Sequence, residues 1–486
     1  MSIAISPITI FILDLVLRLA LATLVIIRRR PVSTTLAWLV VLVFVPFLGC
    51  GLYLLIGENR LGSRRLRAYE RLSKSLEEKA VSLWAREHAA TEEFDSQWGH
   101  IARFGTAVTG LPPLRGNRLG LINKSEEMLE TLARDIDSAT NHVHLLTYIW
   151  MPSGMSTLVA DALIRAVARG VSCRVLLDSV GSNEMLSSRE CDRLRDGGVK
   201  VVAALPVKPI RMLFSRLDLR NHRKIVVIDG TIAYTGSQNI SDSTFRSNRF
   251  RKTGPWIDAT LRIEGPAAHA LAITFLRDWM LDSEETLEDL RPFLPLLTPS
   301  SDSRSCTVQV VASGPGLAPD AIHQALLTTI YSAREELVMT TPYFVPDDAT
   351  RTALQAAATR GVHVTIVMPA ISDSLLVAAA SRSHYLDLLE AGVRIMHYHG
   401  GLLHAKTVTV DRRIALIGSA NFDARSFWLN FEVSLFIYDD DFASVVRFMQ
   451  TDYLRQSTEV QLDEWRQRSI FEIFRDNSAK LLGPLL

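Results

Sequence analysis

The stretch NHRKIVVIDGTIAYTGSQN, residues 221–239, places a histidine, a lysine and an aspartate around a run of β-branched residues typical of a strand. The same spacing recurs in LHAKTVTVDRRIALIGSAN, residues 403–421, so that both copies read His-x-Lys-x4-Asp-x6-Gly-Ser-x-Asn. One accidental His-x-Lys-x4-Asp match is expected in about one chain in twenty of this length. A second copy with the same tail therefore indicates a duplicated functional motif, rather than two buried strands whose polar residues only satisfy one another.

The resemblance between the two halves extends beyond the motifs. HVHLLTYIWMP at 142–152 resembles ELVMTTPYFVP at 336–346, and ARGVSCRVLLD at 168–178 resembles TRGVHVTIVMP at 359–369, at a nearly constant offset. Each half alternates short β-rich runs with helical stretches, which predicts α/β layers. We predict two duplicated α/β domains packed around one shared active site.

Composition limits the class of protein. The chain has 486 residues, of which 48% are hydrophobic and 22% are charged, and this balance is typical of globular proteins. A net charge of +1 argues against a strongly basic nucleic-acid binder. The four cysteines show no CxxC spacing, so neither a disulfide framework nor a zinc site is predicted.

Two apolar segments near the N-terminus, residues 8–27 and 36–56, are each about 20 residues long, enough to cross a bilayer. They predict a transmembrane hairpin; a cleaved signal peptide and a buried core hairpin are the alternatives. Asp14 and Arg18 lie one helical turn apart, so we expect them to pair and to face the second segment. Three arginines occupy the turn and six basic residues follow the second segment, which favours a cytoplasmic catalytic region.

These patterns divide the chain into five predicted segments. They are a transmembrane hairpin at 1–57, a juxtamembrane helical connector at 58–113, a first α/β domain at 114–290, a linker at 291–303 and a second α/β domain at 304–486.

The paired motifs predict a site for a phosphodiester. Within a strand, His222 and Lys224 point to the same side, and so do His404 and Lys406. The lysines would neutralise phosphate oxygens, one histidine would attack phosphorus, and the other would protonate the leaving oxygen. We expect four residues of the motif tails to add hydrogen bonds to the substrate: Ser237, Asn239, Ser419 and Asn421. Metal binding by the histidines is a weaker alternative, because no residues with ligand spacing lie near them.

Four acidic residues accompany the histidines. Glu432 lies 28 residues after His404, and Asp258 holds the corresponding place after His222. Both are predicted to orient the imidazoles, the alternative being ordinary exposed strand carboxylates. Asp229 and Asp411 belong to the catalytic motifs, but they end strands, and we expect salt-bridge and turn roles for them rather than acid–base chemistry.

The paired motifs resemble those of the phospholipase D superfamily. Together with the predicted hairpin, the segments ASGPG at 312–316, TTPYFVP at 340–346 and GGLLHAK at 400–406 are similar to the bacterial cardiolipin synthase family within it. The resemblance implies that His222 attacks one phosphatidylglycerol to give a phosphatidyl-histidine. It also implies that His404 releases glycerol and then activates the hydroxyl of a second phosphatidylglycerol, without a cofactor or a required metal, at the bacterial cytoplasmic membrane.

Three other readings remain open from the sequence. The chain could be a phosphodiesterase or nuclease, which the hairpin and the near-neutral charge disfavour, or a phospholipase or phosphatidylserine synthase with the same catalytic residues. A membrane scaffold without activity is the poorest fit, because both motifs are intact. Whether the chain forms a homo-oligomer, its acyl-chain preference and the use of phosphatidylethanolamine are not fixed by the sequence.

Overall fold

Short runs of apolar and β-branched residues form the strands of a mixed sheet. The computed structural model describes residues 6–28, 32–57, 98–206, 218–243, 253–293, 305–316 and 318–481. Within that part of the chain, 15 strands pair in the order β17-β12-β11-β10-β14-β15-β16-β9-β1-β8-β6-β5-β2-β3-β4, and a separate parallel pair joins β7 to β13.

The strands of the first half are β1 (Leu114–Ile122), β2 (His142–Thr147), β3 (Ser172–Asp178), β4 (Lys200–Ala204), β5 (Ile225–Ile228), β6 (Ile232–Gly236), β7 (Trp256–Ile257) and β8 (Thr260–Glu264). Those of the second half are β9 (Cys306–Ser313), β10 (Glu336–Thr340), β11 (His363–Pro369), β12 (Arg394–Tyr398), β13 (Leu402–Leu403), β14 (Thr407–Val410), β15 (Ile414–Gly418), β16 (Glu432–Tyr438) and β17 (Ser457–Glu459).

The first helices are α1 (Pro7–Ile27), α2 (Val32–Phe44), α3 (Leu48–Leu52), α4 (Gly99–Thr109), α5 (Ser125–Asp137), α6 (Ser156–Ala168), α7 (Asn183–Leu186), α8 (Arg189–Asp196), α9 (Pro266–Asp282) and α10 (Leu287–Leu290). The later ones are α11 (Ala321–Ser332), α12 (Asp348–Thr359), α13 (Leu375–Arg382), α14 (Tyr385–Glu390), α15 (Ala424–Trp428), α16 (Asp440–Arg455), α17 (Leu462–Arg466) and α18 (Ile470–Lys480). A π-helix at Tyr53–Gly57 and a 3-10 turn at Arg291–Phe293 are the remaining helical segments in the described part of the chain.

The strand order confirms the predicted α/β fold and its duplication. From the central antiparallel β1–β9 pair, each half runs outward through the same series, β1-β8-β6-β5-β2-β3-β4 on one side and β9-β16-β15-β14-β10-β11-β12 on the other. One apolar cluster draws on α9, α16 and strands of both halves, and each half adds its own cluster on the opposite face. Helices therefore cover both faces, which accounts for the unbroken apolar runs of the central strands.

The chain divides into two compact units, one of Met1–Leu66 with Val207–Leu219 and the other of Arg67–Pro206 with Arg220–Leu486. The duplicated sheet belongs to the second unit. The first described helix of this unit, α4, packs on the core of the second half. There the Gln309 side chain donates to the carbonyl oxygens of Ala102 and Leu111 at 3.0 Å. The rest of the predicted connector, residues 58–97, and residues 294–303 of the predicted linker lie outside the described residues.

The N-terminal unit contains one helix long and apolar enough to cross a membrane, α1, among the described residues. The second apolar segment, predicted as one span at 36–56, is interrupted: α2 ends at Phe44, and Pro46 precedes the separate α3. Proline disfavours helical conformation in the residue before it and has no N–H to continue the ladder. A two-span hairpin is therefore not established by the helix lengths.

The predicted pairing of Asp14 with Arg18 is confirmed, at 2.5 Å. Arg18 also donates to the Val43 carbonyl oxygen at 3.2 Å, and Asp14 accepts from the Phe47 amide at 3.2 Å. The two charged residues thus satisfy each other and the polar backbone exposed where the second apolar segment breaks.

Candidate active site

The two motif histidines are held at the junction between the halves. Each lies just before a central strand, His222 before β5 and His404 before β14. The His222 amide donates to the Phe431 carbonyl oxygen at 3.0 Å, and the His404 amide donates to the Ile257 carbonyl oxygen at 2.8 Å. Each motif is therefore anchored by the backbone of the opposite half.

The orienting carboxylates also cross between the halves. His222 Nδ1 lies 2.9 Å and 3.1 Å from the Glu432 oxygens, and His404 Nδ1 lies 2.6 Å from Asp258 Oδ1. An ionised carboxylate can only accept, so each Nδ1 carries the proton and each Nε2 keeps its lone pair. Both acids are buried, which disfavours their reading as exposed strand residues.

The motif serines secure these carboxylates. Ser237 Oγ donates to Asp258 Oδ1 at 2.6 Å, and Ser419 Oγ donates to Glu432 Oε2. Neither serine is among the residues that line the cavity beside the histidines. Their predicted contact with a substrate stays a prediction, whereas their contact with the acids is in place.

The motif lysines are buried beside their histidines. Lys224 Nζ donates to the His222 carbonyl oxygen at 2.7 Å, and Lys406 Nζ donates to the His404 carbonyl oxygen at 2.8 Å. Lys224 also lies 5.5 Å from the ring centre of Tyr148. Each side chain is thereby folded back toward the motif histidine, where it can neutralise an anion bound between the halves.

Burial dominates the protonation of the site. It lowers the pKa of His222 to about 4 against the opposing charge of Glu432, and it lowers that of His404 to about 3, with Lys406 adding to the effect. Burial also lowers the pKa of Lys224 to about 8, and burial together with Lys224 lowers that of Lys406 to about 7. At neutral pH both imidazoles are unprotonated, the form that a nucleophile or a base requires.

The motif aspartates serve the backbone at the far end of the motif strands. Asp229 accepts from the amides of Thr140, Asn141 and His142, each at 2.8 Å. Asp411 similarly accepts from three successive amides, those of residues 334–336. Both adopt a positive φ at the turn, 51° and 50°. The predicted turn role fits this geometry. Among the described residues, both carboxylates bind backbone amides, and the predicted salt bridges are not seen.

A cavity of about 410 Å³ opens onto both histidines. Asn239 lines it and accepts from the Ile149 amide at 3.1 Å through Oδ1, which leaves its amide group to donate. Asn421, the last residue of the second motif, is also buried. Its Oδ1 has no hydrogen-bond partner among the described residues. The remaining lining residues are Tyr148, Ile149, Arg220, Trp256, Tyr343, Asp373, Arg425 and Asn430.

Several of these lining residues were not predicted as site residues. Tyr148 and Tyr343 lie one position apart in the two repeated segments, as the seventh residue of 142–152 and the eighth residue of 336–346. Asp373 accepts from the Tyr343 hydroxyl at 2.8 Å and 2.7 Å, and Trp256 packs against His404 with ring centres 4.4 Å apart. No local pattern distinguishes Asp373 or Trp256 from ordinary loop and strand residues.

The described residues contain no group of three or more His, Cys, Asp or Glu side chains arranged to hold a metal ion.

Comparison with known proteins agrees with this geometry. The family described as "Cardiolipin synthase, PLD-like domain" matches residues 132–250 and 326–449, and the "Phospholipase D-nuclease N-terminal" family matches residues 19–58. Cardiolipin synthase A from Yersinia pseudotuberculosis is 39% identical over 95% of each chain, and that from Proteus mirabilis is 38% identical over the same share. The fold is similar to that of a phosphatidylserine synthase from Haemophilus influenzae, with a TM-score of 0.58 and 15% identity over 80% of this chain and 100% of that one.

Proposed function

This chain belongs to the cardiolipin synthase family of phospholipase D-like phosphatidyltransferases, and from that premise we propose that it transfers a phosphatidyl group from one phosphatidylglycerol to another. The products are cardiolipin and glycerol. The observation that carries the proposal is the pair of buried histidines, each held by a carboxylate of the other half and both facing one cavity.

In the first step, His222 Nε2 attacks phosphorus while His404 protonates the departing glycerol oxygen. Glu432 supports this role by keeping the proton on Nδ1 of His222 and by stabilising the positive charge that the ring gains on attack. The anionic phosphate favours the protonated form of His404, which supplies the proton that a poor alkoxide leaving group needs. Lys224 and Lys406 stabilise the charge that shifts onto the phosphate oxygens.

In the second step, His404 takes the proton from the hydroxyl of a second phosphatidylglycerol. That oxygen attacks phosphorus, the phosphorus–nitrogen bond to His222 breaks, and cardiolipin leaves. One phosphodiester replaces another, so no nucleotide is required. Both histidines are buried, and restricted access of water to them favours a lipid hydroxyl as the acceptor.

We assign the protein to the bacterial cytoplasmic membrane as a multi-pass protein whose catalytic unit faces the cytoplasm. The 21-residue apolar α1 supports membrane insertion, and the basic residues after position 57 support the orientation. A reporter fused to the C-terminus should be active only as a cytoplasmic fusion; activity restricted to a periplasmic reporter would reverse the orientation.

The test of the activity uses the full-length protein in vesicles of phosphatidylglycerol alone, with a chelator and no nucleotide. We expect cardiolipin and free glycerol in equal amounts by mass spectrometry, and their loss in His222→Ala. The matched control is His363→Ala, an exposed histidine at the start of β11. Phosphatidic acid in place of cardiolipin would make the protein a phospholipase.

A further inference from the structure

Two arginines line the cavity beside the motif histidines. Arg220 and Arg425 are half-buried and share the cavity with His222 and His404. Their backbones meet at one corner, where the Phe431 amide donates to the Arg220 carbonyl oxygen at 2.9 Å and the Asn430 amide donates to the Arg425 carbonyl oxygen at 2.8 Å. The two cations thus come from different halves and converge on one part of the wall.

The charged groups of the cavity are unevenly distributed. Burial and Asp178 raise the pKa of the Tyr148 hydroxyl, with Glu432 adding to the rise, and the positive charges of Arg220 and Arg425 oppose it. Tyr343 donates to the carboxylate of Asp373. The lining therefore carries two cations, Arg220 and Arg425, and one carboxylate, Asp373, which is held by Tyr343.

The arginines break the symmetry of the duplication. Arg220 stands two residues before His222, where the second half has Leu402 before His404. Arg425 stands four residues after Asn421, where the first half has Ser243 after Asn239. The reacting phosphate is served by equivalent groups from both halves, whereas a cationic pair without counterparts at the matching described positions suits a ligand group that is present once.

The proposed reaction brings one such group. The acceptor phospholipid carries its own phosphodiester, which remains intact and ends up one glycerol bridge away from the transferred phosphate. The negative charges of the two phosphates repel each other at that separation, and a cation facing each phosphate offsets the repulsion. Guanidinium groups pair with phosphate oxygens through two parallel hydrogen bonds, a geometry that lysine does not offer.

Resting on the proposed function, we propose that Arg220 and Arg425 form a subsite for the phosphate that the acceptor phospholipid keeps. The subsite selects an anionic phospholipid hydroxyl over neutral alcohols and water for the attack on the phosphatidyl-histidine. In that attack the acceptor oxygen bonds to phosphorus, the bond to His222 breaks, and the acceptor proton passes to His404. The phosphate at the arginines takes no part in bond making.

Two reactions of the full-length protein in phosphatidylglycerol vesicles separate this subsite from the rest of the site. Cardiolipin formation uses an acceptor with a phosphate, whereas exchange of isotope-labelled free glycerol into phosphatidylglycerol uses a neutral one, and both pass through the same intermediate. We expect the ratio of cardiolipin formation to glycerol exchange to fall at least tenfold in Arg220→Gln and in Arg425→Gln. The control Arg413→Gln removes an exposed positive charge at the β14–β15 turn and should change the ratio less than twofold.

A second measurement uses soluble acceptors in place of the phospholipids of the bilayer. Glycerol 3-phosphate and glycerol compete as soluble acceptors, and the wild type should prefer the phosphorylated one. Each arginine variant should lose that preference, and Arg220→Lys or Arg425→Lys should recover part of it.

The outcomes separate the two proposals. Equal losses of both reactions, with the acceptor preference unchanged, would overturn the subsite, because the arginines would then serve the reacting phosphate or the fold. A wild type that exchanges glycerol but forms no cardiolipin would overturn the proposed function instead, and its preference between the soluble acceptors would still decide the subsite.

Discussion

At the scale of single residues, the exchange of carboxylates between the halves gives the two histidines separable partners. Glu432 holds His222, and Asp258 holds His404, although each acid follows the other histidine in the chain. The two imidazoles are otherwise similar in burial and in the direction of their pKa shifts. Removing one carboxylate at a time therefore tests the role of one histidine at a time.

We expect Glu432→Gln and Asp258→Asn to impair different steps with a phosphatidyl ester of p-nitrophenol. This leaving group needs no proton, so formation of the intermediate depends on His222 alone. Glu432→Gln should slow the burst of nitrophenol by about 10²- to 10⁴-fold, by analogy with loss of the carboxylate from a serine-protease triad. Asp258→Asn should keep most of the burst and slow the later turnover.

Rapid-quench kinetics measure the burst, and mass spectrometry of the quenched protein locates the adduct. Asp452→Asn, on the outer surface of α16, serves as the matched control. An adduct on His404, with the burst lost in Asp258→Asn instead, would exchange the roles of the two histidines.

The protonation of the lysines predicts an alkaline limit to activity. Lys406, with a pKa of about 7, and Lys224, with a pKa of about 8, are protonated below these values and lose their charge as the pH rises through them. The charges that act on Lys406 include those of Lys224, Asp258, Glu432, Asp423 and Asp373. We expect kcat/KM to fall above about pH 7 to 8, and to fall on the acid side as His222 gains a proton near pH 4.

Lys406→Arg should move the alkaline limb upward by at least about one pH unit, because arginine stays protonated throughout. The measurement is kcat/KM for phosphatidylglycerol over a range of pH values, with the surface variant Lys200→Arg as control. An alkaline limb that stays in place in Lys406→Arg would assign it to another group.

The sequence predicted this residue chemistry in part. Both histidines, both lysines and the two orienting acids were identifiable, because a duplicated motif marks them. The crossed pairing was not, because in the chain Glu432 lies nearest the second motif and only the packing of the halves brings it to His222. Asp373 and the two cavity arginines lie outside the motif and depend on the same packing.

At the scale of elements, Arg223 connects the first motif to the second half. Arg223 stands between His222 and Lys224 in the sequence. Its side chain is buried and pairs with Asp278 of α9 at 2.6 Å. It also donates to the Glu432 carbonyl oxygen at 3.0 Å and to the Ser313 carbonyl oxygen at 2.8 Å, on β16 and β9. One guanidinium thus joins the motif, a core helix and two strands of the other half.

We expect Arg223→Met to destabilise the fold by about 3–5 kcal/mol, because it leaves Asp278 as an unpaired buried charge. Thermal unfolding followed by intrinsic fluorescence should show a decrease in Tm of at least about 5 °C. The double variant Arg223→Met with Asp278→Leu should recover more than half of the loss.

A matched surface pair provides the control for Arg223. Arg394 and Glu459 are 2.8 Å apart, with 52% and 35% of their side chains exposed, so Arg394→Met should cost about 0–1 kcal/mol. Equal effects of the two substitutions, or no recovery in the double variant, would show that the buried pair does not hold the elements together.

Element boundaries were less predictable than element types. The alternation of strands and helices in both halves followed from periodicity, since buried parallel strands and amphipathic helices have distinct patterns. The second apolar segment had the composition of one span, yet Pro46 divides it into α2 and α3. The proline was visible in the sequence, but apolar composition alone does not report where a helix ends.

At the scale of the whole molecule, one chain supplies every group of the site. The β1–β9 pair joins the halves into one sheet, and the short β7–β13 pair together with the Asn221–Phe431 bridge places each motif against the other half. The duplication predicted that two motifs would meet, but motif spacing alone is equally compatible with motifs that meet across two copies of the chain. The described contacts close the site within one copy.

This closure predicts the behaviour of mixed inactive variants. His222→Ala and His404→Ala each disable the active site of their chain, so co-reconstituting the two proteins in the same vesicles should leave cardiolipin formation at the background of either variant alone. Sharing of motifs between copies would instead restore a substantial fraction of activity, about a quarter to a half for random pairing in a dimer.

The readout is the rate of cardiolipin and glycerol release, compared with wild-type protein diluted into the same amount of His222→Ala protein. Proportional dilution of the wild-type rate, together with no restoration in the mixture, is the result expected if each chain works alone; restored activity would require a site built from two chains and would contradict the crossed contacts seen within one.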